Sequence, residues 1–146
     1  CKRVTLDAEW LAVASELLVE KLRAAEIGAI GGLAIGADPI VAGVVALSWR
    51  LGYPVQGFIV RKEPKAHGTS KWIEGSIQRG ARVAIVDDVV TSGGSIIRAI
   101  NSARVEGLEP AIAYTIVDRE DGGADNIERE GHLPFEPLVR YGELFS

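Results

Sequence analysis

Val83-Ala-Ile-Val-Asp-Asp-Val-Val-Thr-Ser-Gly-Gly-Ser95 joins an apolar run, two adjacent carboxylates, and a short loop of hydroxyls and glycines. Arg82 to Val86 predicts a buried strand, because a continuous apolar run has no polar face to turn toward water. Gly94 to Glu106 predicts a helix, so residues 87–95 form a strand-to-helix loop. Asp87 and Asp88 then emerge where the strand meets solvent. Paired carboxylates accept hydrogen bonds from a vicinal diol, or organise a divalent cation through its waters. Beyond Val89 and Val90, Thr91, Ser92 and Ser95 add hydroxyl donors. Gly93 and Gly94 let the backbone approach closely, so that several N–H groups converge on one anion at the helix start. Together these parts suit a sugar with free hydroxyls at one end and a phosphate at the other.

The same strand–helix alternation continues on both sides. Asp7 is a candidate N-cap for a helix running to about Ala25, with Trp10, Ala14, Leu17, Leu18 and Leu22 at helical spacing. Ile27 to Ala34 reads as a buried strand. Gly36-Ala-Asp-Pro39 opens a second helix that ends near Leu51-Gly52, with Asp38 as its cap and proline in its first turn. Val55 to Val60 is the next strand, and Arg61 to Gly75 a long polar loop of the kind that is usually functional. Ala111 to Val117 is a strand, Asp118 to Asn126 a loop, Asn126 to Glu130 a short helix, and Pro137 to Arg140 the last strand. Such alternation predicts an α/β domain with a largely parallel, Rossmann-like central sheet flanked by helices. Ligands of such sheets sit beyond the carboxyl ends of the strands, which here means loops 34–38, 87–95 and 118–126.

Composition narrows the function classes. The 146 residues fit one domain, and 47% hydrophobic with 25% charged residues is ordinary for a globular protein. A net charge of -4 gives no whole-protein attraction to nucleic acid or to acidic membranes. No apolar run approaches the roughly 20 residues a membrane span needs. The single cysteine, Cys1, excludes an internal disulfide and fits a reducing, cytoplasmic setting. The chain contains no Met, and Cys1-Lys-Arg-Val reads as the middle of a strand or loop, so an upstream segment is expected to be missing. Other phosphate motifs fail: Gly31 and Gly36 have Walker A spacing, but Ala37 and Asp38 stand where Lys and Ser/Thr are needed.

In this acidic chain, positive charge is concentrated in one place. Arg61, Lys62, Lys65 and Lys71 are four of its 16 basic residues, and His67 lies among them in Arg61-Lys-Glu-Pro-Lys-Ala-His-Gly68. A solvated charged surface is the plain alternative for such a loop. His132, in a Glu-Gly-His-Leu turn, reads as structural.

The 83–95 segment resembles the phosphoribosyl pyrophosphate (PRPP) motif of the type I phosphoribosyltransferases, whose fold is then expected. By that resemblance Asp87 and Asp88 contact the ribose hydroxyls, and Val89 to Ser95 hold the 5′-phosphate. The string R-K-E-x-K-x-H-G is similar to the catalytic loop of the orotate phosphoribosyltransferase family. It implies that Arg61, Lys62, Lys65 and His67 bind pyrophosphate and close over the reaction, within a homodimer whose subunits share the active site. Val117-Asp-Arg-Glu-Asp-Gly122 resembles the family's D-R-x-x-x-G segment, which implies that Arg119 reaches the orotate carboxylate. Gly32 to Pro39 occupies the pyrophosphate-loop position. Some members carry a lysine in that loop where this chain has Gly36, leaving backbone amides of Gly36 and Ala37.

The resemblance therefore implies a Mg2+-dependent transferase acting on PRPP and orotate, with neither nucleic acid nor membrane as partner. Mg2+ is expected to ride mainly on PRPP, reaching Asp87 and Asp88 through water. The whole chain reads as a single phosphoribosyltransferase domain without the N-terminal segment that helps cover the base. The rival readings are a transferase for another base, and a PRPP- or nucleotide-sensing regulator. The cationic loop argues against the regulator, because binding alone does not require a closing lid.

Overall fold

A computed structural model describes residues 2–66 and 71–145. A short helical turn, α1 (Lys2–Thr5), precedes α2 (Ala8–Ala24), β1 (Ala29–Leu33), α3 (Asp38–Arg50), β2 (Gln56–Val60) and β3 (Ile73–Glu74). Then follow β4 (Arg82–Val90), α4 (Gly94–Val105), β5 (Glu109–Asp118), α5 (Gly123–Gly131), β6 (Phe135–Arg140) and a 3-10 turn (Tyr141–Phe145). The sheet order is β3-β2-β1-β4-β5-β6. All neighbouring strands run parallel except β3, which pairs antiparallel with β2 through Ile59–Glu74 and Val60–Ile73.

Strand geometry turns this order into three layers, since successive side chains point to opposite faces. On β4, Val83 and Ile85 join a core cluster with Ile96, Ala99 and Ile100 of α4 and Ile127 of α5. Ala84 and Val86 join the other cluster, with Leu18 and Leu22 of α2 and Ile40 and Val44 of α3. Each fully buried Leu, Ile or Val contributes about 1.5–3 kcal/mol relative to exposure. β4 is thus apolar on both faces because helices cover both, which is why its sequence reads as a continuous hydrophobic run.

Asp7 caps α2 as expected, its Oδ1 accepting the Trp10 N–H at 3.1 Å. Several boundaries differ from expectation. Lys2–Thr5 is helical, neither strand nor loop. Ala37, not Asp38, is the N-cap of α3, and it makes no side-chain cap bond. Asp38 lies inside the first turn, where its Oδ1 is buried without a hydrogen-bond partner and burial raises its pKa. The 61–75 stretch contains β3, too short to show any alternation. α5 begins at Gly123, ahead of the expected Asn126.

The largest revision concerns β4, which runs on through both aspartates to Val90. Aspartate is depleted in strands, so the sequence places the strand end at Val86. The ladder to β5 overrides that preference: Asp87 pairs with Thr115, Val89 with Val117 and Val90 with Asp118. The buried Thr115 hydroxyl lies 3.0 Å from the Asp87 carbonyl and 3.2 Å from that of Asp88, binding the two strands where the carboxylates sit.

Candidate active site

Parallel strands bring the loops that follow β1, β2, β4 and β5 to one edge of the sheet. At that edge each aspartate folds back on its own chain. Asp87 Oδ1 accepts the Asp88 N–H at 2.9 Å, and Asp88 Oδ1 accepts the Val89 N–H at 2.9 Å. Both carboxylates also converge on the β1–α3 loop. A Cβ placed on Gly36 would stand 2.7 Å from Asp87 Oδ1 and 2.9 Å from Asp88 Oδ1. Glycine at this position leaves room for the pair.

The two acids differ in environment. Asp87 is buried and Asp88 half-buried. Burial, reinforced by the neighbouring Asp88 carboxyl, pushes the Asp87 pKa up to about 7. A buried carboxyl holds its proton because the low-dielectric surroundings penalise the charged form. Near neutral pH it is therefore ready to take up charge when a donor arrives.

From Asp87 the chain encloses a cleft of about 270 Å³ lined by Val89 to Ile96 together with Asp87 and Arg98. Gly93 makes the turn into α4 with φ of 89°, a left-handed conformation that disfavours any residue bearing a Cβ. α4 has no side-chain N-cap, so its first amides face the cleft end of the helix unclaimed by a capping side chain. The loop is braced from behind by α5, where Asn126 Nδ2 donates to the Ser92 carbonyl at 2.9 Å.

A second cleft of about 500 Å³ adjoins the β1–α3 loop and the basic loop, lined by Ala34, Ile35, Ile59, Arg61, Lys62, Glu63 and Glu74. Arg61 is anchored there, its NH1 pairing with Glu74 Oε1 at 2.8 Å and its Nε donating to the Glu63 carbonyl. The base of the basic loop is closed by two backbone bonds, Arg61 N–H to Trp72 O at 2.7 Å and Lys65 N–H to Lys71 O at 3.2 Å. The Lys65 side chain is exposed. His67 lies outside the described residues.

No protein-family model matches the chain. Orotate phosphoribosyltransferase from Aquifex aeolicus (strain VF5) is 41% identical over 143 residues, covering 98% of this chain and 78% of that protein. The crystal structure of Mycobacterium tuberculosis H37Rv orotate phosphoribosyltransferase in complex with Fe(III) dicitrate matches with a TM-score of 0.88 and 34% identity, over 99% of this chain and 81% of that one. The same protein in complex with PRPP matches with a TM-score of 0.84 and 32% identity, over 98% of this chain and 80% of that one. This chain belongs to the orotate phosphoribosyltransferase family.

Among the residues singled out from the sequence, this family member brings Asp87 and Val89 to Ser95 around one cleft, with Asp88 and Gly36 at its edge. Arg61 and Lys62 line the neighbouring one. The Ala37 side chain is fully buried, and its N–H donates to the Leu33 carbonyl at 3.2 Å. Arg119 is exposed beyond β5, its guanidinium 4.7 Å from the centroid of the Tyr141 ring. Glu120 secures the same corner, its Oε2 accepting the Gly142 N–H at 3.1 Å.

Sequence reasoning passed over Tyr141, Thr115 and Arg98 in this orotate phosphoribosyltransferase fold. Tyr141 and Thr115 reach the site only through tertiary contacts and leave no local signal. Arg98 had one. It stands three residues after Ser95 and four after Gly94, hence on the same helix face as the phosphate-type loop.

Proposed function

We propose that this chain transfers the ribose 5-phosphate group of PRPP to orotate, forming orotidine 5′-monophosphate and pyrophosphate in pyrimidine nucleotide synthesis. What carries the reading is the convergence of three features at one sheet edge. They are a carboxylate pair suited to a diol, a hydroxyl–glycine cleft at a helix start, and a cationic loop beside both.

In this reading Asp87 and Asp88 accept the ribose hydroxyls, while Thr91 to Ser95 cradle the 5′-phosphate with amides and hydroxyls. The bond from the anomeric carbon to pyrophosphate breaks, the sugar passes through an oxocarbenium-like state, and a ring nitrogen of orotate bonds to that carbon as it gives up its proton to the departing pyrophosphate or to solvent. Negative charge grows on the departing pyrophosphate, where Lys62, Lys65, Arg61 and His67 would lie. Fixed positive charge aimed at that growth lowers the barrier more than it tightens substrate binding. Closure of the loop excludes water that would hydrolyse the activated sugar. Without a side chain, Gly36 would let the substrate approach the loop backbone beside the acid pair. Arg119 offers a guanidinium to the orotate carboxylate, a shape match that lysine lacks.

Mg2+ belongs to the same proposal. Among the described residues no group of three or more His, Cys, Asp or Glu is arranged to hold a metal ion. A two-carboxylate edge suits an ion that keeps its waters and arrives on phosphates, with Asp87 and Asp88 as its water-mediated anchors. Such an ion would neutralise charge on the leaving pyrophosphate. We further place the protein in the cytoplasm as a homodimer. Among the described residues no helix is long and apolar enough to cross a membrane. Trp10 on α2 and Trp49 on α3 are 61% and 76% exposed, apolar area that a second copy would cover.

A base panel tests the activity. With PRPP and Mg2+, orotate should release pyrophosphate, whereas adenine, guanine and xanthine should not. Release with a purine but not with orotate would overturn the base assignment. Tight PRPP binding without turnover of any base would instead indicate a sensor.

A further inference from the structure

Arg119 directly follows β5, and its N–H donates to the Val90 carbonyl at 2.9 Å. Val90 lines the hydroxyl–glycine cleft, so Arg119 starts from the rim of that cleft. Gly123 packs the same corner tightly, since a Cβ there would stand 2.4 Å from Val90 Cγ1 and 2.5 Å from the Thr91 carbonyl oxygen. In the sheet order β5 lies on the side of β4 away from β1 and β2. This corner and the cationic loop therefore flank the cleft from opposite sides.

Two contacts tie the corner to the 3-10 turn after β6. Glu120 Oε2 accepts the Gly142 N–H at 3.1 Å, and the Arg119 guanidinium lies over the Tyr141 ring, 4.7 Å from its centroid. Glu120 itself has φ of 61°, and its N–H donates to Asp118 Oδ1 at 2.9 Å. A residue bearing a Cβ keeps that left-handed conformation only where its surroundings impose it. Backbone and side-chain bonds thus fix where Arg119 and Tyr141 stand relative to each other. An arginine on an exposed loop has many rotamers, and an aromatic face beneath its guanidinium reduces them. The N–H groups at the edge of the guanidinium stay available, and a carboxylate can meet two of them in one plane.

We propose that Tyr141 is a positioning residue that holds Arg119 for the carboxylate of a planar pyrimidine, so that the 3-10 turn after β6 takes part in base selection. The inference rests on the reading above that Arg119 meets the orotate carboxylate. The ring restrains the guanidinium, and the bond between Glu120 and Gly142 restrains the segment that carries the ring.

The test uses the full chain and two nucleotides that differ by one carboxylate, orotidine 5′-monophosphate and uridine 5′-monophosphate, with affinities measured by calorimetry. Both carry ribose 5-phosphate, so the ratio of their affinities isolates the base end. Wild type should prefer orotidine 5′-monophosphate by about ten-fold or more, the scale of one charge-assisted contact, and Arg119→Ala should abolish the preference. Tyr141→Ala should cut the ratio by about three- to five-fold, the size of a surface cation–π contact, whereas Tyr141→Phe should hold it within about 1.5-fold. Adding Tyr141→Ala to Arg119→Ala should change nothing further, because the ring acts through the arginine. Tyr141 is 39% exposed and the Gly142 bond uses the backbone, so uridine 5′-monophosphate should bind all variants alike. An unchanged ratio in Tyr141→Ala would overturn the positioning role, as would no preference in the wild type or equal weakening of both nucleotides. Orotate turnover with PRPP, measured in parallel, separates the two ideas. A Tyr141-dependent preference without turnover removes the enzymatic reading alone, whereas turnover with a Tyr141-independent preference removes the positioning role alone.

Discussion

A protein carrying both Asp87→Asn and Asp88→Asn is expected to lose PRPP-dependent turnover by roughly 10²–10⁴-fold. Hydrogen bonds to a charged acceptor are each worth about 1.5–3 kcal/mol, and two are lost. Every 1.36 kcal/mol costs about ten-fold in rate. Both amides retain an oxygen that can accept the following N–H, as Asp87 does for Asp88 at 2.9 Å and Asp88 for Val89 at 2.9 Å. The local backbone should therefore survive. Unchanged turnover in the double variant would remove the ribose-binding role from these residues.

Stability supplies the control, and its sign runs opposite to activity. The Asp87 pKa is raised from 3.8 to about 7, chiefly by burial. Below 3.8 both folded and unfolded chains hold the proton, and the group imposes no ionisation cost. As the pH rises from 3.8 to about 7 the unfolded chain ionises first, so the folded state loses stability, and above about 7 the loss is complete. Asp87→Asn escapes that loss. Its melting temperature should exceed that of the wild type at pH 8 by several degrees, with the gap closing toward pH 4. A thermal-denaturation series at the two pH values checks this, and a gap independent of pH would refute it. An inactive but more stable variant could not owe its inactivity to misfolding. The site would then be a case in which a carboxyl is kept buried at the expense of stability for the sake of binding.

Lys65→Ala is expected to lower kcat by about 10²-fold while leaving the KM for PRPP within a few fold. The argument turns on when its charge matters. Lys65 stands on the basic loop with an exposed side chain, and its backbone N–H is held by Lys71. In the proposed reaction its ammonium meets pyrophosphate fully only as the bond to the ribose breaks, so its contribution is concentrated in the transition state. Arg61 should matter less, because Glu74 already pairs with its guanidinium. Single-turnover rates compared with steady-state constants decide the point. A pure KM change on Lys65→Ala would show that it merely binds substrate.

The difference between what could be read and what could not is visible in particular residues. Arg82 to Val86 and, within the expected Ile27 to Ala34, Ala29 to Leu33 were legible as strands because sustained apolar character has few other outcomes in an α/β chain. The α2 start was legible because Asp7 caps it locally, with a bond across three residues. The end of β4 was not, because the propensity of Asp87 and Asp88 argues against strand while their pairing with distant β5 enforces it. β3 was illegible for a related reason: two residues carry no period, and only β2 makes them a strand.

At the site, residue types and order were enough to name the chemistry. A carboxylate pair, a hydroxyl–glycine turn at a helix start and a cluster of cations have their binding preferences wherever they are placed. Those preferences arise from each group's own charge, donors and backbone freedom, which the order of residues already contains. Folding added the relations among them. It buried Asp87 beside Asp88 and so raised its pKa, set Gly36 against both carboxylates, and paired the Ala37 amide with the Leu33 carbonyl. It also laid Arg98 across the gap between the phosphate-type cleft and the cationic loop. Each of these depends on distance and desolvation between segments far apart in the chain, quantities that exist only once the sheet has brought its loops to one edge.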